Sequence, residues 1–201
     1  MIIDDENVMK KSMALTIYRF AMAHAATAFA LSQTMVGDEI MLNTLTITMI
    51  KYIAKTNHKK WNASDVQTIL QMMAGNYIGT RLGLSLIKWI PGLGNGANAS
   101  SAFTTAKKLG WITYLLTKQD KNPSELTDIE KKRLLHDAQK LLNNNIGEEI
   151  YNKIESIDQK RLNNLILQST KASSSTESVQ EELFLQLEET VENSISKIDV
   201  S

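Results

Sequence analysis

Residues 13–31 read MALTIYRFAMAHAATAFAL, an apolar run interrupted only by Thr16, Arg19, His24 and Thr27. Alanine, leucine and methionine are strong helix formers, and the run is far longer than an ordinary strand. A helix is therefore predicted over residues 7–33. Apolar on nearly every side, it is either buried in a core or placed in a membrane. A bilayer span takes about 20 apolar residues, which this segment approaches, but Arg19 near its middle would cost about 2.5 kcal/mol or more there. A core helix is the expected outcome, with His24 a satisfied buried residue rather than a ligand.

Further along, Gly37-Asp38 punctuates the chain, and Asp38 is placed to cap a second helix whose Ile40, Leu42, Leu45, Ile47, Ile50 and Ile53 keep helical spacing. The basic stretch from Lys55 to Lys60 ends it. Ser64-Asp65 opens a third helix that runs to Trp89, where Pro91-Gly92 breaks it, and a fourth carries Phe103, Leu109, Trp111, Ile112, Tyr114 and Leu115. Thr127 and Glu130 match a capping box, so a fifth helix runs from there to about Asn143. Gly147 is expected to separate it from shorter pieces with Ile150, Tyr151, Ile154 and Ile157, then Leu162, Leu165 and Ile166. The last helix sets Val179, Leu183, Leu187, Val191, Ile195 and Ile198 on one stripe. The organisation predicted is an apolar helical domain (1–117), a helical extension (118–168), a Ser-rich flexible linker (169–178) and an acidic amphipathic helix (179–201). On that division, deleting residues 173–201 should leave the remainder folded.

Composition agrees with an all-α, multi-helix bundle: 43% of the 201 residues are hydrophobic, while the 2 prolines and 9 glycines are too few for a sandwich of short strands. Net charge is zero but uneven, with 11 Lys+Arg against 6 Asp+Glu in residues 1–117 and 11 against 16 in the rest. Docking of a basic half on an acidic half explains this, and a basic face toward an anionic membrane or partner is the sharper alternative. Nucleic acid is not expected as a partner, because no basic run is interleaved with aromatics. There is no cysteine, hence no disulfide. The start, Met1-Ile2-Ile3-Asp4-Asp5-Glu6, is acidic where a secretory signal is basic, which predicts a cytoplasmic location or a peripheral one on the cytoplasmic side of a membrane.

No catalytic, metal or cofactor constellation is readable. His24, His58 and His136 sit in no ligand spacing, and neither a nucleophile elbow nor a phosphate-binding loop occurs. The specific feature is Gly75, Gly79 and Gly83, at intervals of four on one face of the third helix. Each glycine costs about 1 kcal/mol of helix propensity, a loss that close approach of another helix would offset. Ala99, Ala102, Ala106 and Gly110 offer the matching small stripe. A tight antiparallel hairpin through Pro91, Gly92 and Gly94 is predicted, in which Gly79→Leu should be destabilising. Lys88, Trp89, Lys107, Lys108 and Trp111 around it are the candidate contacts to a partner or a membrane surface.

From about Ala23 to Thr117 the ordered set Asp38, Met49-Ile50-x-x-Ile53-Ala54, Asp65, Gly75-x-Tyr77-Ile78-Gly79, Ile90-Pro91-Gly92-Leu93-Gly94 and Thr105-x-x-x-Leu109-Gly110-Trp111 resembles a bacterial helical domain. This is the GTPase-associated domain of unknown function, number 697, of the YcjF-like family, often found C-terminal to Era-like GTPase domains. The resemblance implies an α-helical, often membrane-associated module working beside a GTPase. It carries over no catalytic residue, and the matched Asp38, Pro91 and glycines are structural in that reading. The function expected is therefore a non-enzymatic interaction or regulatory module that binds a protein partner, a GTPase in trans being the candidate, or a membrane surface. The alternative is a membrane-inserting hairpin protein of colicin-like type, against which Lys88, Lys107 and Lys108 argue.

Overall fold

The computed structural model of the chain describes residues 2–33, 39–74, 99–143, 145–172 and 177–199. Among these there are helices and no strand: α1 (Ile2–Gln33), α2 (Glu39–Thr56), α3 (Ala63–Ala74), α4 (Ala99–Thr117), a 3₁₀ turn (Pro123–Glu125), α5 (Asp128–Leu142), α6 (Ile146–Lys153), α7 (Ser156–Lys171) and α8 (Glu177–Asp199). The chain is an all-α multi-helix bundle. Asp38, Gly75, Gly79, Gly83, Lys88, Trp89, Pro91, Gly92 and Gly94 lie outside the described residues, and so does most of the predicted glycine hairpin.

The bundle is built around α1. Met13, Ala14, Leu15, Ile17, Tyr18, Phe20 and Ala21 are all buried, so every side of its middle faces protein, as its sequence requires. α4 lies along it most extensively, followed by α6 and α2, with α7 and α8 also in contact. Gly110 marks the close approach of α4: a Cβ there would sit 2.7 Å from Ile17 Cγ2. The small stripe expected to receive the third helix thus has, at Gly110, its neighbour on α1.

Local signals set the helix ends. The backbone N–H of Asp65 donates to Asn62 Oδ1 and that of Asn62 to Asp65 Oδ2, both at 3.1 Å, a reciprocal cap that starts α3 ahead of the Ser64-Asp65 expected. Ser124 donates to the other Asp65 oxygen at 2.9 Å and ties the 3₁₀ turn to that cap. The Thr127–Glu130 box is present as predicted, with Thr127 N–H donating to Glu130 at 2.8 Å. α2 ends with His58 in the left-handed region at φ 58° and the Lys59 N–H returning to Ala54 O at 2.9 Å.

The core crosses the boundaries expected at residues 117 and 178. One cluster runs from Met13 through Leu134, Ile150 and Leu165 to Ile195. α7 continues to Lys171 with Ser169 and Thr170 buried, so the first residues of the expected linker are packed helix. α8 buries Gln180, Phe184, Leu187, Thr190, Val191, Ser194 and Ile195 at alternating three- and four-residue spacing, whereas Val179 is exposed. Phe184 meets Tyr52 of α2 edge-on at 5.2 Å, and Glu181 pairs with Lys55. The acidic end of the chain therefore docks on its basic half. Apolar burial holds it there, since one exposed ion pair contributes about 1 kcal/mol at most.

Gly147 corrects a second expectation. It does not separate elements; it is buried in the first turn of α6, where an added Cβ would lie 2.3 Å from Ala14 O and 2.9 Å from Tyr18 Cβ. The missing side chain lets α6 press backbone to backbone against α1. Tyr18 and Tyr151 stack across this contact at 5.4 Å.

Candidate functional site

On α1, Arg19, Met22, Ala23, Ala26, Thr27 and Ala30 fall three or four positions apart and share one face. Three of the six are alanine, which leaves space where larger side chains would have closed the bundle. Met41 of α2, Tyr151 of α6 and Asn163 and Leu167 of α7 stand around that space, and the result is a groove of about 440 Å³. Met22, Met41 and Leu167 are 38–39% exposed on its rim, and Phe29, two turns beyond Met22 on α1, is 60% exposed.

Arg19 is the one charged residue among the described residues lining the groove, and it is 2% exposed. Its guanidinium carbon lies 4.4 Å from the Tyr151 ring centroid, a cation–π contact. Its Nε has no hydrogen-bond partner, and among the described residues no carboxylate pairs with it. Burial pushes the guanidinium below its ordinary pKa, and Tyr151 acts in the opposite direction. An arginine keeps its charge nonetheless, so the groove has a cationic floor with one donor, Nε, unpaired.

His24, one turn beyond Arg19, faces away from the groove into the α1–α2 contact. It is fully buried and bonded on both nitrogens, Nδ1 to Phe20 O at 2.7 Å and Nε2 to Thr46 Oγ1 at 3.0 Å. In the neutral ring Nδ1–H donates to the carbonyl, while Nε2 lies against Thr46 Oγ1, whose hydroxyl donates to Leu42 O at 2.7 Å. Desolvation depresses its pKa to about 4. The sign follows from the unfolded chain, where histidine titrates near 6.5: the neutral ring stabilises the fold fully above that value, and the contribution is lost as pH falls toward 4. Between pH 7.5 and pH 5 this loss should be about 2 kcal/mol. Urea unfolding at the two pH values measures it, and His24→Gln should remove most of the difference between them.

The sequence-derived contact residues divide. Trp111 is 3% exposed and packs edge-on against Tyr114 at 5.9 Å, so it is core rather than a contact surface. Lys107 is half-buried over the Phe103 ring at 5.6 Å, its pKa lowered by desolvation against the pull of Glu148. Lys108 is half-buried on the same helix. None of these residues lines the groove. Arg19 stands out in the sequence as the lone cation in an apolar run; that Tyr151 would cover it had no sequence signal.

Among the described residues no group of three His, Cys, Asp or Glu side chains is arranged to hold a metal ion. No described helix is long and apolar enough to cross a membrane. In comparison with known proteins, no family model, no curated protein and no solved structure matches the chain.

Proposed function

We propose that this chain is a non-enzymatic helical binding module, cytoplasmic or peripheral to a membrane, that meets a protein partner on the rim of the Arg19 groove. The observation that supports this reading is the clustering of Met22, Met41 and Leu167, exposed together around one concave surface. Isolated exposed apolar residues need no explanation, whereas a set rimming a groove is the ordinary signature of an interaction site. A GTPase supplied in trans is the partner class that the resemblance of residues 23–117 implies.

The test is chemical cross-linking and affinity recovery from the source cells with matched charge insertions. Leu167→Glu on the rim should reduce recovery of the partner by about tenfold or more, the effect of placing an unpaired charge in an interface centre. Ile129→Glu, on α5 where the side chain is 81% exposed and remote from the groove, should leave recovery unchanged. Equal recovery with both variants would remove the rim from the proposal.

A further inference from the structure

Beyond the partner reading, we infer that the groove is itself a ligand site, selective for a long-chain monocarboxylate: an apolar chain along Met22, Ala26, Ala30 and Leu167, with its headgroup on Arg19. Three independent features of the site converge on that chemistry.

The first is size and lining. A volume of about 440 Å³ falls within the roughly 300–1,000 Å³ typical of small-molecule sites, which are mostly apolar with a few placed polar groups. The alanines of α1 form a smooth trough, and the methionines at its edge can repack around a flexible chain.

The second is the unused cation. A buried charge is retained where something compensates it, and Arg19, 2% exposed, has a ring on one face and an Nε without a partner. A planar carboxylate matches the guanidinium fork in two parallel hydrogen bonds.

The third is charge balance. Arg19 is the single charged residue among the described residues of the lining, and one negative charge balances it. A phosphate monoester near neutral pH carries more charge than one arginine offsets, and it would be left under-compensated in an apolar wall. An alcohol or a quaternary ammonium of the same chain length offers Arg19 no charge or the wrong one.

The full chain is titrated calorimetrically with dodecanoate, dodecanol and dodecyltrimethylammonium, each below its micelle concentration. Dodecanoate should bind one to one, about tenfold or more tighter than dodecanol, the discrimination one charge-assisted pair supplies. The ammonium should not compete with it. Arg19→Met should bring dodecanoate down to the level of dodecanol, and Ala26→Trp, which fills the trough without touching Arg19, should abolish both. Should Arg19→Met fail to fold, the ranking of the three probes on the native chain and the effect of Ala26→Trp still decide. Equal affinity for dodecanoate and dodecanol, or dodecanoate binding that survives Ala26→Trp, overturns the site. Such a result leaves the protein-partner reading intact, because that reading is tested by Leu167→Glu and needs no ligand in the groove.

Discussion

A chain ending at residue 172 is expected to lose cooperative thermal unfolding. Removing α8 uncovers Tyr52 and takes Phe184, Leu187, Val191 and Ile195 out of the single core. Deleting one large buried side chain costs about 2–5 kcal/mol, while a whole domain is stable by about 5–15 kcal/mol. Four such losses, about 8–20 kcal/mol, are comparable to or larger than that whole reserve. The linker reading of residues 169–178 predicts the opposite, an unaltered transition, so calorimetry of the truncated chain separates the two. A sharp transition near that of the full chain would show that α8 is peripheral.

Gly147→Ala is expected to be the most damaging conservative substitution among the described residues. The new methyl group would lie 2.3 Å from the carbonyl oxygen of Ala14 and 2.9 Å from Tyr18 Cβ, so the backbone of α6 must move. Overpacking of this kind costs about 1–3 kcal/mol, against a gain of about 1 kcal/mol that helix propensity would assign to replacing glycine in a helix. The two effects have opposite sign and packing wins, because the obstacle is main chain and cannot turn aside. For a chain of this length each kcal/mol moves the midpoint by about 2–4 °C, so a fall of several degrees is the expected calorimetric result. Gly110→Ala should cost less, since its nearest obstacle at 2.7 Å is the Ile17 side chain, which has other rotamers. A raised midpoint for Gly147→Ala would mean that α6 does not press on α1.

Displacement of α6 also carries Tyr151 away from Arg19, and this couples the fold to the candidate site. The cation–π contact is made across α1 and α6 at 4.4 Å, and Gly147 sits one turn before Tyr151 on the same helix. Gly147→Ala should therefore weaken dodecanoate binding as well as stability. Gly110→Ala, on α4, should leave binding unchanged.

Periodicity and capping chemistry made the helices legible in advance. Residues 13–21 are apolar on nearly all sides and all buried, so α1 had to be central, although Met22 and Phe29 beyond them are exposed; Thr127 and Glu130 satisfy each other's amides within four residues, so α5 had to start there. These are local properties, and the neighbours that settle them are near in sequence. That residues 169–171 continue a packed helix was not legible, because serine content reports the solvation of an isolated segment and Ser169 instead donates to Leu165 O inside a buried helical turn. Nor could composition show which glycine is pressed: Gly147 is distinguished by Ala14, a neighbour in space that lies far away in sequence. The site follows the same rule. That Arg19 is out of place in an apolar run is a statement about sequence. That it lies beneath Tyr151, with Met41 and Leu167 forming a rim above it, depends on how α2, α6 and α7 are set around α1, and close packing over long sequence separations determined that arrangement.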